Sequence, residues 1–246
     1  SPQRHSAPMS MSKLLSAFSR QWREAPPWTV PLAVAFVCLS VDIPYWSEYL
    51  LAELLFFLRF PLSTGGPHAE SLLDGTRSYH RVHIADLDRN LHMNNARYLR
   101  ATNAVRRHFW LRQGALLRLF RREGLGFVIP AQTIRYRREL RLWQAYCIES
   151  RVVSMSDEER SLYMEFRFVG SEDSFVHAVQ IVKYKIIARD GAVPLPSELL
   201  AQAGYALTPR MALQLAPQSR PDIQKWRESI AESSKLLRRE QQPSDP

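Results

Sequence analysis

The pattern of apolar and polar positions changes along the chain from the spacing of a helix to the alternation of strands. Residues 94–113 place apolar side chains on one helical face and charged or amide side chains on another. Leu162, Met164, Phe166 and Phe168 instead alternate with Tyr, Glu and Arg, which predicts a strand with one buried face. The segments of strand length are residues 77–85, 127–138, 144–154, 161–170 and 175–188.

In chain order these segments are one strand, a long helix, a shorter amphipathic piece between Gly114 and Gly124, and four successive strands. Polar stretches of hairpin length, residues 155–159 and 170–174, separate the last three strands, so we expect those strands to be antiparallel. A long amphipathic helix beside such a sheet buries its apolar face only if the sheet curves around it. The order predicts an α+β fold with about five antiparallel strands wrapped around a central helix.

An apolar region, residues 28–62, precedes this domain. Its first run, residues 28–41, is uncharged but shorter than the ~20 residues that a spanning helix needs. Its second run contains Glu53 and Arg59, which fits an amphipathic helix lying in a membrane interface. We predict a membrane anchor or signal-like region here, and the alternative of a hydrophobic helical hairpin packed on the domain stays open.

Breaker residues and composition divide the chain into five parts. Gly65, Gly66 and Pro67 mark the clearest linker. Beyond the last strand, Ser197 and Asp222 are the predicted N-caps of two further helices. The predicted parts are an unstructured or targeting segment 1–27, the apolar region 28–62, a linker 63–76, an α+β domain 77–191, and a C-terminal helical extension and tail 192–246.

The net charge of +9 and the isoelectric point near 9.9 favour anionic surfaces and phosphate-bearing ligands. Because Arg and Lys are scattered along the chain, we predict no nucleic-acid partner. Cys38 and Cys147 form no disulfide framework, and the seven His residues lack the spacing of a zinc site. The composition therefore predicts neither a metal nor a cofactor.

A polar turn at the mouth of the long helix carries the candidate chemistry. Asp88 is able to orient or activate a water molecule, Asn90 to hold a reacting partner, and His92 to exchange a proton near neutral pH. The N–H groups at the start of the helix suit a developing oxyanion. The alternative is that Asp, Asn and His serve only as turn and cap residues, with Asn94 or Asn95 as the N-cap.

Residues 86–99, DLDRNLHMNNARYL, resemble the central turn of hotdog-fold thioesterases. Asp88, Asn90 and His92 stand at the spacing of the catalytic Asp, Asn and His of plant acyl-ACP thioesterases. More widely, the chain resembles the animal family named thioesterase superfamily member six. The features that carry this wider likeness are Asp42, Tyr45, residues 137–142, Trp226, Ser233, Ser234 and residues 236–238.

This resemblance implies a hotdog fold, pairing with a second copy of the chain, and hydrolysis of a fatty acyl thioester such as acyl-CoA. The implied catalytic residues are Asp88, Asn90 and His92. Many hotdog enzymes carry a Glu on the central helix where this chain has Asn103. The alternative is therefore a catalytically weak or inactive hotdog protein that binds acyl lipids or acts as a membrane-associated scaffold.

Six further residues are predicted to contact the substrate. Asn94, Asn95 and Tyr98 begin the central helix, and Arg135, Arg137 and Arg138 form a basic cluster suited to CoA phosphates. A solvated strand end is the alternative for that cluster. With an anchor at residues 28–62, the predicted location is a membrane of the endoplasmic reticulum or secretory pathway, with the mitochondrion as the weaker alternative.

Overall fold

The computed structural model describes residues 70–240 continuously, together with isolated positions between residues 26 and 54. The chain divides into two units, Ser1–Leu55 and Phe56–Pro246, and the fold below belongs to the second. Residues 63–69, which are half of the predicted linker 63–76, lie outside the described residues, as do most of the anchor 28–62 and all of the segment 1–27 except residue 26. Where the structure describes the chain, no helix is long and apolar enough to cross a membrane.

The second unit contains every predicted helix and strand in the predicted order, together with two short helices that the sequence did not predict, Glu70–Asp74 and Pro209–Leu215. The helices are α1 Glu70–Asp74, α2 Asn95–Arg112, α3 Gly114–Arg122, α4 Pro196–Gln202, α5 Pro209–Leu215 and α6 Pro221–Glu240. The strands are β1 Thr76–Arg81, β2 Leu125–Tyr136, β3 Ala145–Ser156, β4 Ser161–Gly170 and β5 Val176–Ala188. Two short 3-10 segments, Ile84–Asp86 and Pro217–Ser219, complete the elements.

The five strands form one antiparallel sheet in the order β1-β3-β4-β5-β2. Hairpins join β3 to β4 and β4 to β5, as the short polar connections predict. The connection after α2 and α3 instead carries β2 to the edge beside β5. The predicted first strand, residues 77–85, ends early at Arg81 because the chain turns into the 3-10 segment Ile84–Asp86. This sheet around one long helix is the hotdog fold.

The core lies between α2 and the sheet. Tyr98, Val105 and Phe109 are buried on one face of α2, at the helical spacing that the sequence shows. They belong to the same hydrophobic cluster as Phe166 and Phe168 of β4. At about 25 cal/mol per Å² of apolar surface removed from water, this interface is the main source of stability for the helix. It also fixes the N-terminus of α2, where the predicted site begins.

The opposite face of the sheet is buried as well, so the prediction of a sheet with a single buried face is wrong. Tyr163 and Ile181 point away from α2 and pack against Ile223 and Trp226 of α6. β4 therefore alternates between apolar and polar residue types, but most of its side chains on both faces are buried. Tyr163 is fully buried, and its hydroxyl donates a short hydrogen bond to Glu159.

The predicted caps of the C-terminal extension are also corrected. Helix α4 begins at Pro196, and the backbone N–H and hydroxyl of Ser197 both donate to the Asp157 carboxylate, at 3.0 and 2.6 Å. Helix α6 begins at Pro221, so Asp222 lies in its first turn and accepts hydrogen bonds from Arg220. Ser197 thus binds a carboxylate that is distant in the chain, and Asp222 binds a nearby guanidinium, so neither side chain caps its helix.

Ion pairs attach this extension to the sheet. Glu165, 2% exposed, lies 2.9 Å from Arg151, 2.8 Å from Arg167 and 2.9 Å from Arg220, which directly precedes α6. Burial alone would raise the pKa of Glu165, but the three guanidinium groups outweigh it and hold the pKa below its usual value of 4.5. The carboxylate therefore remains ionised in the folded protein at neutral pH.

We expect acid to weaken the folded state through Glu165. Because its folded pKa lies below the unfolded value of 4.5, its contribution is present above pH 4.5 and is lost as pH falls through the folded pKa. Urea unfolding across this range should show that loss in the wild type and a shallower one in Glu165→Gln. Parallel pH curves for the two proteins would contradict the assignment, and Glu123→Gln, at an exposed pair, is the control.

Candidate functional site

The predicted catalytic turn is a small hairpin between β1 and α2. Leu87 and Met93 form an antiparallel bridge across it. The Asp88 N–H donates to the His92 carbonyl at 3.0 Å, and the Leu91 N–H donates to the Asp88 carbonyl at 3.1 Å. These hydrogen bonds bring residues 88 and 92 to the same end of the hairpin. The side chains of the predicted Asp and His are thereby placed side by side.

The Asp88 carboxylate uses its two oxygens differently. Oδ1 accepts the backbone N–H of Asn90 at 2.8 Å, the pattern of an Asx-turn, whereas Oδ2 lies 3.5 Å from Nδ1 of His92. The Asp88 and His92 side chains are 22% and 28% exposed, so both are partly screened and still reachable from solvent. One carboxylate oxygen fixes the turn, and the other faces an imidazole suited to proton transfer.

Leu91 occupies the tightest point of this hairpin. Its φ of +62° lies in the left-handed region, where a leucine costs roughly 1–2 kcal/mol more than a glycine. Its side chain is exposed, so no burial at this position offsets that cost. The surrounding hydrogen bonds impose the conformation, and strain of this kind is concentrated at functional sites.

Helix α2 begins directly after the hairpin. The Asn94 side chain is the N-cap, because its Oδ1 accepts the Ala96 N–H at 2.9 Å. Asn95 is the first helical residue, and its carbonyl accepts the Tyr136 hydroxyl at 2.9 Å. The sequence predicted one of the two asparagines as the cap, and the structure identifies Asn94.

We expect Asn94→Ala to destabilise the protein by about 1 kcal/mol, because the N–H group of Ala96 loses its acceptor. Asn95→Ala is the matched control, since the cap hydrogen bond is made by Asn94. Its free energy of unfolding should change by less than about 0.5 kcal/mol. Equal losses in the two variants, measured by urea denaturation, would contradict the cap assignment.

Tyr98 lies in the core beneath the turn. It is 2% exposed, and its ring contacts Tyr136 and Phe168 at centroid distances of 5.1 and 4.9 Å. Burial raises the pKa of its phenol to about 12, although a hydrogen bond from the Leu140 backbone acts in the opposite direction. Tyr98 thus connects α2 to the 137–144 loop, and its predicted contact with substrate stays a prediction.

The 137–144 loop forms the second wall of the turn. The Leu140 carbonyl accepts the Met93 N–H at 2.8 Å, and Arg141 forms an antiparallel bridge with His92. The loop also borders a cavity of about 290 Å³. The cavity is lined by Arg138, Glu139, Arg141, Gln144, Asp173 and His177.

The predicted basic cluster divides between two surroundings. Arg135 is exposed on β2 opposite Val179, whereas the guanidinium groups of Arg137 and Arg138 lie 4.7 and 3.6 Å from the Phe175 ring. Arg138 also donates to Asp173 at 2.7 Å. Two of the three cations therefore already have contacts in the free protein, and the predicted phosphate clamp stays a prediction.

Cys147 lies on the face of the sheet opposite to α2. Its neighbours Tyr146 and Ile148 point into the core, and side chains alternate along a strand. Burial, followed by the Glu149 charge, raises the pKa of its thiol, so the neutral form dominates at pH 7. This places the thiol away from the turn. Among the residues that the structure describes, no cluster of His, Cys, Asp or Glu side chains is arranged to hold a metal ion.

Sequence reasoning missed three residues that support the turn. Tyr136, Gln144 and His177 lie far from residues 86–95 along the chain, and only the sheet pairing brings them near it. The signal for His177 is weak but real. It is a polar residue between Val176 and Ala178 in a segment of strand length.

Comparisons with known proteins give a consistent family. The model of the thioesterase-like superfamily matches residues 82–203. Protein THEM6 of Danio rerio is 35% identical over 160 residues, which is 65% of this chain and 72% of that protein. Protein THEM6 of Xenopus laevis is 40% identical over 102 residues, 42% of this chain and 48% of that protein.

Solved structures give weaker matches. The probable thioesterase YbaW from Escherichia coli has a TM-score of 0.43 at 20% identity, covering 56% of this chain and 98% of its own. SAV2348 from Staphylococcus aureus, in complex with CoA, has a TM-score of 0.46 at 16% identity, covering 58% and 87%. The family model and the THEM6 proteins, together with the helix-wrapping sheet described above, show that the chain belongs to the THEM6 family of the thioesterase-like hotdog superfamily.

Proposed function

We propose that this protein hydrolyses a fatty acyl thioester, with acyl-CoA as the substrate class, at the turn formed by Asp88, Asn90 and His92. The observation that carries the proposal is the Asp88 carboxylate, which has one oxygen held by the Asn90 N–H and the other facing His92 at 3.5 Å. A positioned carboxylate beside an imidazole is a suitable base for a water molecule. Membership of a thioesterase-like superfamily supports the same reaction type.

In the proposed reaction, Asp88 accepts a proton as a water oxygen attacks the thioester carbonyl. The C–S bond then breaks, and the departing thiolate receives the proton that Asp88 took from water, either directly or relayed through His92. The products are a free fatty acid and a free thiol, so atoms and charge balance without a cofactor. General-base assistance of this kind contributes typically about 10²–10⁴-fold to the rate.

The start of α2 is the proposed site for the developing oxyanion. Within its first turn, the Ala96 N–H is bound by the Asn94 side chain and the Arg97 N–H by the Asn94 carbonyl. We therefore propose the N–H of Asn95 as the donor to the thioester oxygen. The positive end of the helix macrodipole favours negative charge at the same position.

Binding of the CoA portion is proposed for the basic residues beyond β2. Arg135 is exposed, and the Arg137 guanidinium keeps donor groups beyond its contact with Phe175 and its 3.2 Å bond to the Val176 carbonyl. Arg138 would have to exchange its Asp173 contact for a phosphate. The planar fork of guanidinium donors is well matched to phosphate oxygens.

A non-enzymatic alternative is an acyl-lipid-binding or scaffolding protein at a membrane. The observation that favours it is Asn103 on the central helix, where many hotdog enzymes carry a carboxylate. An amide cannot act as a general base at neutral pH. Under this alternative, the protein would bind fatty acyl-CoA without releasing free thiol.

The experiment that separates the two functions is thiol release by the purified full-length chain. We expect free thiol to form from fatty acyl-CoAs, with a rate that depends on acyl chain length. Tight acyl-CoA binding without thiol release, by protein whose circular dichroism shows it folded, would reject hydrolysis and support the alternative.

We further propose that the domain pairs with a second copy. β1 and β2 are the outer strands of the sheet, so each has one side without a strand partner among the described residues. The membrane association through residues 28–62 stays a prediction, because most of that region lies outside the described residues. The location in the endoplasmic reticulum or secretory pathway, and the mitochondrial alternative, stay predictions as well.

A further inference from the structure

We infer that two polar side chains, the buried His177 and the half-buried Gln144, act as positioning residues that hold the 137–144 loop against the catalytic turn. We call this pair the His177–Gln144 bracket. Neither residue belongs to the proposed catalytic set. The effect of the bracket on turnover rests on the proposed function, whereas the effect of the bracket on the geometry of the turn does not.

The first half of the bracket is His177, near the start of β5. Its side chain is 1% exposed, and Nδ1 lies 2.9 Å from the Glu139 carbonyl and 3.3 Å from the Arg138 carbonyl. A carbonyl oxygen only accepts hydrogen bonds, so Nδ1 carries the proton. The His177 carbonyl also accepts the backbone N–H groups of Arg137 and Arg138, at 2.7 and 3.2 Å. His177 thus binds the loop through both its imidazole ring and its backbone carbonyl.

The second half of the bracket is Gln144, at the other end of the loop. The Gln144 side-chain oxygen is bound by Arg141, so the amide nitrogen faces Nε2 of His177 at 3.3 Å and donates to that ring nitrogen in the neutral imidazole. The Gln144 Oε1 then accepts the Arg141 N–H at 3.0 Å, and its backbone carbonyl accepts the Val82 N–H at 3.0 Å. The Gln144 side-chain amide is therefore held in one orientation, in which its oxygen accepts from Arg141 and its nitrogen donates to His177.

The loop transmits this order to the turn. Between the two halves of the bracket lies Leu140, whose carbonyl accepts the Met93 N–H at 2.8 Å. Arg141 pairs with His92 through the antiparallel bridge. Arg141 therefore donates its backbone N–H to Gln144 and also pairs with His92, the proposed proton-transfer residue. Displacement of the loop would therefore displace the backbone of His92.

Gly170 makes room for the bracket. A Cβ at this position would lie 2.9 Å from Nε2 of His177 and 2.2 Å from Oδ1 of Asp173. Only glycine allows Asp173 to reach over the end of β4, where its Oδ2 is 3.7 Å from the imidazole and 2.7 Å from Arg138. Through Asp173, the turn between β4 and β5 thus contacts both His177 and Arg138 of the loop.

The test is amide hydrogen exchange in the full-length chain, followed by mass spectrometry over residues 86–95. His177→Leu and Gln144→Met each remove loop hydrogen bonds, so we expect exchange in this segment to rise about tenfold. His177→Asn should restore most of the protection, because its amide nitrogen sits where Nδ1 donates to the Glu139 carbonyl. The matched control is Gln180→Met, a buried glutamine of β5 whose amide donates to Gln132 at 3.1 Å instead.

Wild-type protection of residues 86–95 in both folded variants would overturn the inference, as would an equal loss of protection in Gln180→Met. If the wild type cleaves acyl-CoA, the same variants should lower kcat by about tenfold with little change in KM. If the wild type releases no thiol, the proposed function fails, and the exchange measurement still decides the role of the bracket.

Discussion

Replacing Asp88 with Asn is expected to lower the turnover of acyl-CoA by at least ~100-fold, because the amide cannot accept the proton of the attacking water. The substitution preserves size and an oxygen able to accept the Asn90 N–H, so the turn should keep its shape. The loss should therefore fall on kcat, while KM and the free energy of unfolding change little. Initial rates of thiol release, with the melting temperature measured in parallel, provide the check.

The control for this prediction is Asp190→Asn, which removes the same charge from an exposed position just after β5. Its turnover should equal that of the wild type. Retention of more than about a tenth of the wild-type rate by Asp88→Asn would show that another group supplies the base. A comparable loss in Asp190→Asn would show that net charge, and not the turn, controls the rate.

Leu140→Ala is expected to lower the free energy of unfolding by about 2–5 kcal/mol, the range for truncating a fully buried leucine. Leu140 is completely buried in the loop that forms the second wall of the turn. Removing its side chain leaves a cavity beneath that loop, and the hydrogen bond from Met93 loses its rigid support. We therefore expect turnover to fall together with stability.

The same loop contains a matched control, because Leu142 lies two residues farther on and is 36% exposed. Leu142→Ala should cost less than about 0.5 kcal/mol and leave turnover unchanged. Urea denaturation of both variants is the measurement. Similar losses of stability at the two positions would mean that the loop is not anchored through Leu140.

Local patterns in the sequence were sufficient for the elements of the domain. The helical spacing of Tyr98, Val105 and Phe109 fixes which face of α2 is buried, and β4 occupies the predicted residues 161–170. The proximity of Asp88 to His92 was also predictable, because both belong to one short turn. In each case the interacting residues are close in the chain, so periodicity and turn chemistry carry the information.

Features that depend on distant residues were not predictable in this way. The burial of Tyr163 requires α6, which begins about sixty residues later and covers the outer face of the sheet. The same holds for Ser197, whose predicted cap role lost to the distant Asp157 carboxylate. His177 and Gln144 are 33 residues apart in the chain and meet only where the 137–144 loop packs against the start of β5. A single sequence contains no direct record of such pairings.

The most direct test of the central claim is a single turnover of fatty acyl-CoA by excess full-length protein in water enriched in oxygen-18. If Asp88 activates water as a base, the released fatty acid should carry one labelled carboxyl oxygen, and the peptide containing Asp88 should carry none. Label in that peptide, together with unlabelled acid, would show that Asp88 attacks the thioester itself, and failure to release any fatty acid would show that the turn does not hydrolyse the thioester.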